Sequence, residues 1–235
     1  KAAAVNAEDL QEIAAMLAAA KRPVILAGTG VMLAGTREVF IQMVNELHIP
    51  TVTSRRARRL FHRGGDRYFY GSVGAVAPRY ANYVLQNADF LLVIGSGLRY
   101  YLTAYNDENF APHARKIMVN IHAPEVEKLR MTVEKTIIMD AGAFIVAFSD
   151  LCRTHKMSDW QGWIAYADEM REKYPALSEV ISHADGLTDG YMVTKYINQY
   201  AGTDDVYVAS PSAFAYGYNV YELHDGQEYI CPVGL

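Results

Sequence analysis

The sequence predicts a doubly wound α/β fold built on a parallel sheet, and three observations predict it. Short runs such as Val24-Ile25-Leu26-Ala27 and Phe90-Leu91-Leu92-Val93-Ile94 are apolar on both faces. Amphipathic helical patterns alternate with them along the chain. Both runs end on glycines, Gly28-Thr29-Gly30 and Gly95-Ser96-Gly97. Strands apolar on both faces need cover on both sides, and parallel neighbours need crossovers, which are right-handed almost without exception. The expectation is a Rossmann-like parallel sheet followed by an incomplete second α/β unit.

Each element has its own justification. Residues 8–20 place Leu10, Ile13, Met16 and Leu17 at helical spacing among alanines. Pro23 then opens the first buried strand. Thr36 is placed to cap a helix over 37–47 that carries Val39, Phe40, Met43, Val44 and Leu47 on one face. Ile49 to Thr53 reads as a second β-like run. A helix at about 79–88 leads to the strand at 90–94, and Lys116 to Ile121 is a further strand. Pro124 opens a short helix, Thr136 to Met139 is another strand, and a helix follows over about 141–153. Trp160, Trp163, Ile164, Ala167 and Met170 make one helix ending before Tyr174-Pro175. The polar stretch Ser182 to Gly190 reads as a linker. Beyond it come a helix at Tyr191–Tyr200, a strand at Asp205–Ala209, one more helix and a β-hairpin-like piece around Glu228-Tyr229-Ile230, too little to close a core. The expected domains are a central unit over 1–155, a helical linker over 156–189 and the beginning of a second α/β unit over 190–235.

Composition excludes several classes. Of 235 residues, 51% are hydrophobic and 20% charged, which is ordinary globular composition. A net charge of −4 gives no general electrostatic case for nucleic acid or an anionic membrane. Two cysteines, Cys152 and Cys231, are too few for a disulfide framework, and no Cys/His cluster has zinc-ligand spacing. That fits a reducing compartment, and we expect a cytoplasmic protein. No apolar stretch approaches the ~20 residues of a membrane helix. Lys1-Ala2-Ala3-Ala4 does not lead into a signal-peptide core. The first residues read as a helix in progress without a preceding methionine, and the last stop on a glycine turn. The chain therefore reads as an interior segment of a longer polypeptide.

Candidate binding residues gather at the expected strand ends, where open α/β sheets take their ligands. Gly28, Thr29 and Gly30 match the dinucleotide fingerprint G-x-G-x-x-G only in part, because Leu33 follows and the next glycine is Gly35. Gly95 and Ser96 form a similar turn. A tight strand-to-helix turn without ligand is the alternative at both places. Arg55, Arg56, Arg58, Arg59 and Arg63 lie within nine residues and suit bidentate phosphate contacts, with a solvated loop or subunit pairing as the alternative. Asn120 and His122 follow a strand. Ser210 and Ser212 follow the Val206–Ala209 strand, where a plain turn is the alternative. Tyr100, Tyr101 and Tyr105 suit a packed interface better than a cofactor stack. No Ser-His-Asp order, His-Glu-x-x-His helix or paired-carboxylate motif stands out, so no catalytic residue is assigned.

The order of segments resembles a known family. The residues that carry the likeness are Ala20-Lys21-Arg22-Pro23-Val24-Ile25-Leu26-Ala27-Gly28-Thr29-Gly30-Val31, Ile49-Pro50, and Gly71-Ser72-Val73-Gly74 with Ala81-Asn82. Asn87 to Ser96, and Phe110-Ala111-Pro112 with Ala114 and Lys116-Ile117, complete it. This pattern, over about residues 8–150, resembles the middle domain of thiamine diphosphate-dependent enzymes of the acetolactate synthase and pyruvate decarboxylase group. The stretches Tyr105 to Phe110 and Trp163 to Pro175 look most like acetolactate synthase-like proteins of surface-polysaccharide gene clusters.

The resemblance implies a six-stranded domain between two diphosphate-fold domains, with residues 190–235 beginning the second of these. It implies a parent protein using thiamine diphosphate and Mg²⁺ on a 2-oxo acid, assembled as a homo-oligomer, dimer or tetramer. The catalytic glutamate and the Gly-Asp-Gly…Asn metal segment of that family have no counterpart in these 235 residues, so the segment alone is expected to be inactive. Members holding FAD have arginines where this chain has Gly97 and Tyr101, and acids where it has Asn120 and His122. That places FAD in doubt. A nucleotide-binding or purely structural module without catalysis is the alternative reading.

Overall fold

In the computed structural model the described residues are 6–62, 66–176, 190–208, 221–224 and 226–230. The first helix, α1 (Ala7–Ala19), is capped by Asn6, whose Oδ1 accepts from the Glu8 amide at 3.0 Å. Glu8 and Asp9 in its first turn complement the helix dipole. Its buried face is Leu10, Ile13, Ala14, Met16 and Leu17. Strand β1 (Pro23–Ala27) is buried throughout, and the short α2 (Thr29–Leu33) follows at once. Next come α3 (Arg37–Leu47), β2 (Thr51–Thr53), a 3-10 helix (Arg55–Leu60) and β3 (Phe69–Ser72). Thr36 stands at the N-cap of α3, but its hydroxyl donates to the Val31 carbonyl at 3.5 Å instead of capping a helix amide. The second half runs α4 (Arg79–Gln86), β4 (Phe90–Ile94), β5 (Arg115–Asn120), α5 (Ala123–Glu127), β6 (Lys135–Ile138) and α6 (Ala141–Thr154).

The six strands form one parallel sheet in the order β3-β2-β1-β4-β5-β6. Chain direction across the sheet reverses between β1 and β4, which pair from Pro23↔Phe90 to Ala27↔Ile94. Helices α1, α3 and α6 pack together, and α4 packs with α7 (Gln161–Lys173), giving the two covering layers that right-handed crossovers require. The doubly wound expectation holds.

Helix α7, within the stretch expected as a helical linker, packs on the sheet. Trp160, Trp163 and Ala167 belong to the same buried cluster as the sheet. The indole nitrogens of Trp160 and Trp163 donate to the carbonyls of Ala20 and Pro23, at 2.9 and 3.0 Å. Asp168 accepts a two-pronged contact from Arg67 (3.0 and 2.6 Å) and another from the Tyr70 hydroxyl (2.8 Å). Arg171 lies 4.2 Å over the Tyr70 ring and donates to the Phe69 carbonyl. Helix α7 thus packs against β3 and α4.

The second unit comprises α8 (Gly190–Tyr200), β7 (Val206–Val208) and β8 (Glu228–Ile230). The two strands pair in parallel, Val206↔Glu228 to Val208↔Ile230. That corrects the hairpin-like reading, since a parallel pair needs a crossover between its strands. The further helix expected between them, together with Ser210 and Ser212, lies outside the described residues. Tyr221 and Leu223 are buried against Ile197 and Tyr207, and the Tyr221 and Tyr207 rings stack at 4.7 Å.

Candidate functional site

A cavity of about 600 Å³ opens at the carboxyl ends of all six strands. Thr29 and Gly30 follow β1, Ser54 to Arg56 follow β2, and Val73 to Ala77 follow β3. Gly95 to Arg99 with Tyr101 and Leu102 follow β4, Val119 to Ile121 end β5, and Met139 to Ala141 follow β6. Doubly wound sheets bind ligands here, where the strand order reverses. Of the residues singled out in the sequence, Thr29, Gly30, Arg55, Arg56, Gly95, Ser96, Gly97, Tyr101 and Asn120 line this cavity, and Gly28 does not.

The glycines are explained by one another. A Cβ on Gly28 would lie 2.1 Å from the Gly95 carbonyl oxygen, and one on Gly30 would lie 2.7 Å from the Gly95 Cα. Gly95 has φ +65° and would place its own Cβ 2.8 Å from the Gly30 Cα. The turns after β1 and β4 thus meet backbone to backbone. The Gly28 amide donates to Ile94 and the Gly30 amide to Gly95, at 2.8 and 2.9 Å. Both amides are engaged in backbone hydrogen bonds, and the glycines let the two turns meet at the floor of the cavity.

The arginine run is sorted by the three-residue period of its 3-10 helix. Ala57 and Leu60 face the core, Arg56 and Arg59 are exposed, and Arg58 is buried. Arg55 and Arg56 line the cavity and Arg59 does not. Arg63 lies outside the described residues. The Arg37 guanidinium holds the end of this helix by donating to the Leu60 carbonyl at 2.8 Å.

Three charged groups escaped the sequence reading. Glu125, in the first turn of α5, reaches back to the β4 end, where its Oε1 accepts from Arg99 at 3.2 Å and its Oε2 from Asn120 at 3.4 Å. Asn120 also donates to the Ser96 carbonyl at 3.5 Å and accepts from the His122 amide at 2.9 Å. Its amide thus holds Glu125 in place. Asp140 caps α6 through Oδ1, accepting from the Gly142 and Ala143 amides. A cation at 99 and carboxylates at 125 and 140 therefore stand near the places where the resemblance expects them at 97, 101, 120 and 122. An acid just after Pro124 at a helix start was the available signal.

The rim after β4 carries four non-glycine residues with left-handed backbones, Leu98, Ala104, Tyr105 and Ala111. Such positions persist only where surrounding structure holds them. Within the same rim Asp107 accepts from the Arg130 amide at 2.9 Å and from its guanidinium at 2.6 Å. Tyr100, Tyr101 and Tyr105 are 74%, 63% and 59% exposed, and the Tyr105 ring contacts those of Tyr100 and Tyr101. Among the described residues, no group of three or more His, Cys, Asp or Glu is arranged to hold a metal ion, and no helix is long and apolar enough to cross a membrane.

A six-stranded, all-parallel doubly wound sheet with a strand-end cavity lined by guanidiniums and carboxylates defines a Rossmann-like α/β architecture. Residues 10–148 match the family described as thiamine pyrophosphate enzyme, central domain, and the chain belongs to that family. It is similar to the acetolactate synthase of Mycobacterium bovis, 32% identical over 215 residues, which are 87% of this chain and 33% of that protein. Similarity to the acetolactate synthase of Mycobacterium avium is 31% over 212 residues, 87% of this chain and 32% of that protein. For the acetolactate synthase isozyme 1 large subunit of Escherichia coli it is 28% over 175 residues, 74% of this chain and 30% of that protein. The chain spans about a third of the length of these curated relatives.

Proposed function

We propose that this chain is the central portion of a thiamine diphosphate-dependent protein, a cytoplasmic dimer or tetramer. That protein decarboxylates a 2-oxo acid such as pyruvate and releases the aldehyde or transfers the two-carbon unit to an acceptor carbonyl. The observation that carries this reading is the likeness to acetolactate synthases across 87% of the chain, continuing past the central-domain match into the second unit. Thiamine diphosphate, when bound, supplies the carbanion stabilisation. The described residues present no donor set for a Mg²⁺–diphosphate group, and no step through it is assigned to them. The 235-residue chain by itself is expected to be inactive. Turnover of 2-oxo acids by the full-length protein with thiamine diphosphate and Mg²⁺ tests the reading, and failure of every 2-oxo acid tried would overturn it.

The role proposed for this portion is to hold an adenine nucleotide diphosphate, FAD or ADP, in the strand-end cavity. The residues present fit such a group. Arg55, Arg56 and Arg99 suit the diphosphate, the carboxylate of Glu125 suits ribose hydroxyls, and Leu33, Leu98, Leu102 and Ile121 supply apolar walls. Titration of the chain with FAD and ADP is the direct test. Arg55→Ala is expected to weaken binding about tenfold, in line with one charge-assisted contact. Arg59→Ala, which lies off the cavity, leaves binding unchanged. Equal affinities for all three proteins would exclude this cavity as the site.

A further inference from the structure

Five arginines within nine residues are the most unusual charge feature of the chain. The structure divides them between two tasks. Arg55 and Arg58 are one turn apart on the 3-10 helix, where side chains at i and i+3 eclipse. Arg55 lines the strand-end cavity. Arg58 is only 7% exposed, sits 5.6 Å over the Phe69 ring, and donates through Nε to the Tyr221 carbonyl at 2.6 Å.

Tyr221 is the hub of the second unit. Its ring stacks on Tyr207 of β7, and its hydroxyl donates at 3.1 Å to Gln227 Oε1, which also accepts from the His224 amide at 2.9 Å. The Gln227 amide group donates in turn to the Gly202 carbonyl, in the turn that leads into β7. One guanidinium thus grips the residue around which β7 and β8 are organised.

Among the described residues, Arg55, Arg56, Arg58 and Arg59 have no carboxylate partner. Four unneutralised cations in one short helix repel each other, most of all where Arg58 is shielded from water. The helix cannot swing away to relieve this. The Ser54 amide ties its start to Ala27, Leu60 ties its end to Arg37, and Ala57 and Leu60 anchor it in the core. An anion arriving at Arg55 and Arg56 lowers the repulsion on Arg58 and strengthens its hold on Tyr221.

We propose that this 3-10 helix couples the two units, so that a diphosphate bound at Arg55 and Arg56 tightens docking of the second unit through Arg58 and Tyr221. The proposal rests on the nucleotide reading of the cavity. Coupling is reciprocal: whatever factor the ligand contributes to docking, docking contributes to ligand affinity.

The test uses the whole 235-residue chain, with ADP and inorganic pyrophosphate as probes. Hydrogen–deuterium exchange of β7 and β8 is followed with and without saturating ADP, beside the ADP affinities of wild type, Arg58→Met and Arg58→Lys. ADP is expected to slow exchange at β8 in the wild type by about fivefold or more, a typical coupling. The slowing disappears in Arg58→Met, where ADP also binds more weakly by a similar factor, and is partly kept in Arg58→Lys. Saturable ADP binding that leaves β8 exchange unchanged in the wild type would overturn the coupling and leave the nucleotide reading standing. If neither ADP nor pyrophosphate binds, the nucleotide reading falls and the coupling with it. The wild-type comparison decides even where Arg58→Met fails to fold.

Discussion

Gly97 and Glu125 claim the same space: a Cβ on Gly97 would lie 2.4 Å from Oε2 of Glu125. An arginine at 97, as the resemblance expects in FAD-holding relatives, is incompatible with this placement of the carboxylate. The chain keeps the acid and carries its cation two residues later, at Arg99, which reaches Oε1 at 3.2 Å.

The two ends of the β4 turn should therefore respond differently to one methyl group. In Gly97→Ala the obstacle is the tip of a flexible side chain, so Glu125 turns aside, stability is barely changed, and ADP affinity shifts several-fold. In Gly95→Ala the obstacle is the backbone of Gly30, 2.8 Å away, at a φ of +65°. Overpacking and the left-handed conformation together should cost about 2–4 kcal/mol. Thermal denaturation of both variants beside ADP titration checks the contrast, and a larger melting loss in Gly97→Ala would refute it.

The contact between α7 and β3 should weaken in acid. Burial raises the pKa of the Asp168 carboxyl, but the hydrogen bonds from Arg67 and Tyr70 outweigh it and hold the group below the ordinary aspartate range. A depressed carboxylate contributes stability that is complete above the unfolded-state pKa, about 3.9, and is lost as pH falls through the lower folded value. Asp168→Asn should remove that acid dependence and cost about 1 kcal/mol, a small figure because the Arg67 end is half exposed to solvent. Burial, followed by Asp168, pushes the Tyr70 hydroxyl up to about 12, so it remains a donor through the neutral range. The chain has two tryptophans, Trp160 at the start of α7 and Trp163 within it, so fluorescence reads this helix directly. An Asp168→Asn protein with the wild-type acid profile would remove Asp168 as the cause.

Cys152 should be inert in the folded protein. It is buried on α6, and burial pushes its thiol up to about 12, leaving almost no thiolate at neutral pH. Peptide mapping after iodoacetamide treatment should find Cys152 unmodified in native protein and fully modified in denaturant. Rapid native alkylation would mean that α6 opens readily.

What could be read from sequence follows how far each partner lies along the chain. Strands β1 and β4 announce themselves because five consecutive apolar residues end on glycine. Strand β3 does not, since Phe69-Tyr70-Gly71-Ser72 carries a glycine at φ +89° and no apolar run. The 3-10 helix hid behind its arginines, although Ala57 and Leu60 already showed its period. At the site, the strand-end location was legible, but the purpose of Gly28 was not, because its neighbour Gly95 arrives only when β4 lies beside β1. Glu125 was missed for the same reason: its partners Asn120 and Arg99 belong to two adjoining strand ends. The tie between α7 and β3 was hidden because Asp168 finds Arg67 only across 101 residues.

The tryptophan indoles of α7 close on carbonyls 140 residues upstream, beside the very first strand. A ribosome releases the beginning of this sheet long before the piece that seals it. During synthesis the β3 edge and the outer face of α4 stay uncovered until residues past 170 have cleared the exit tunnel. Truncating the gene anywhere between the end of α6 and the end of α7 would leave the newborn sheet permanently in that unsealed condition, exposed to chaperones and proteases.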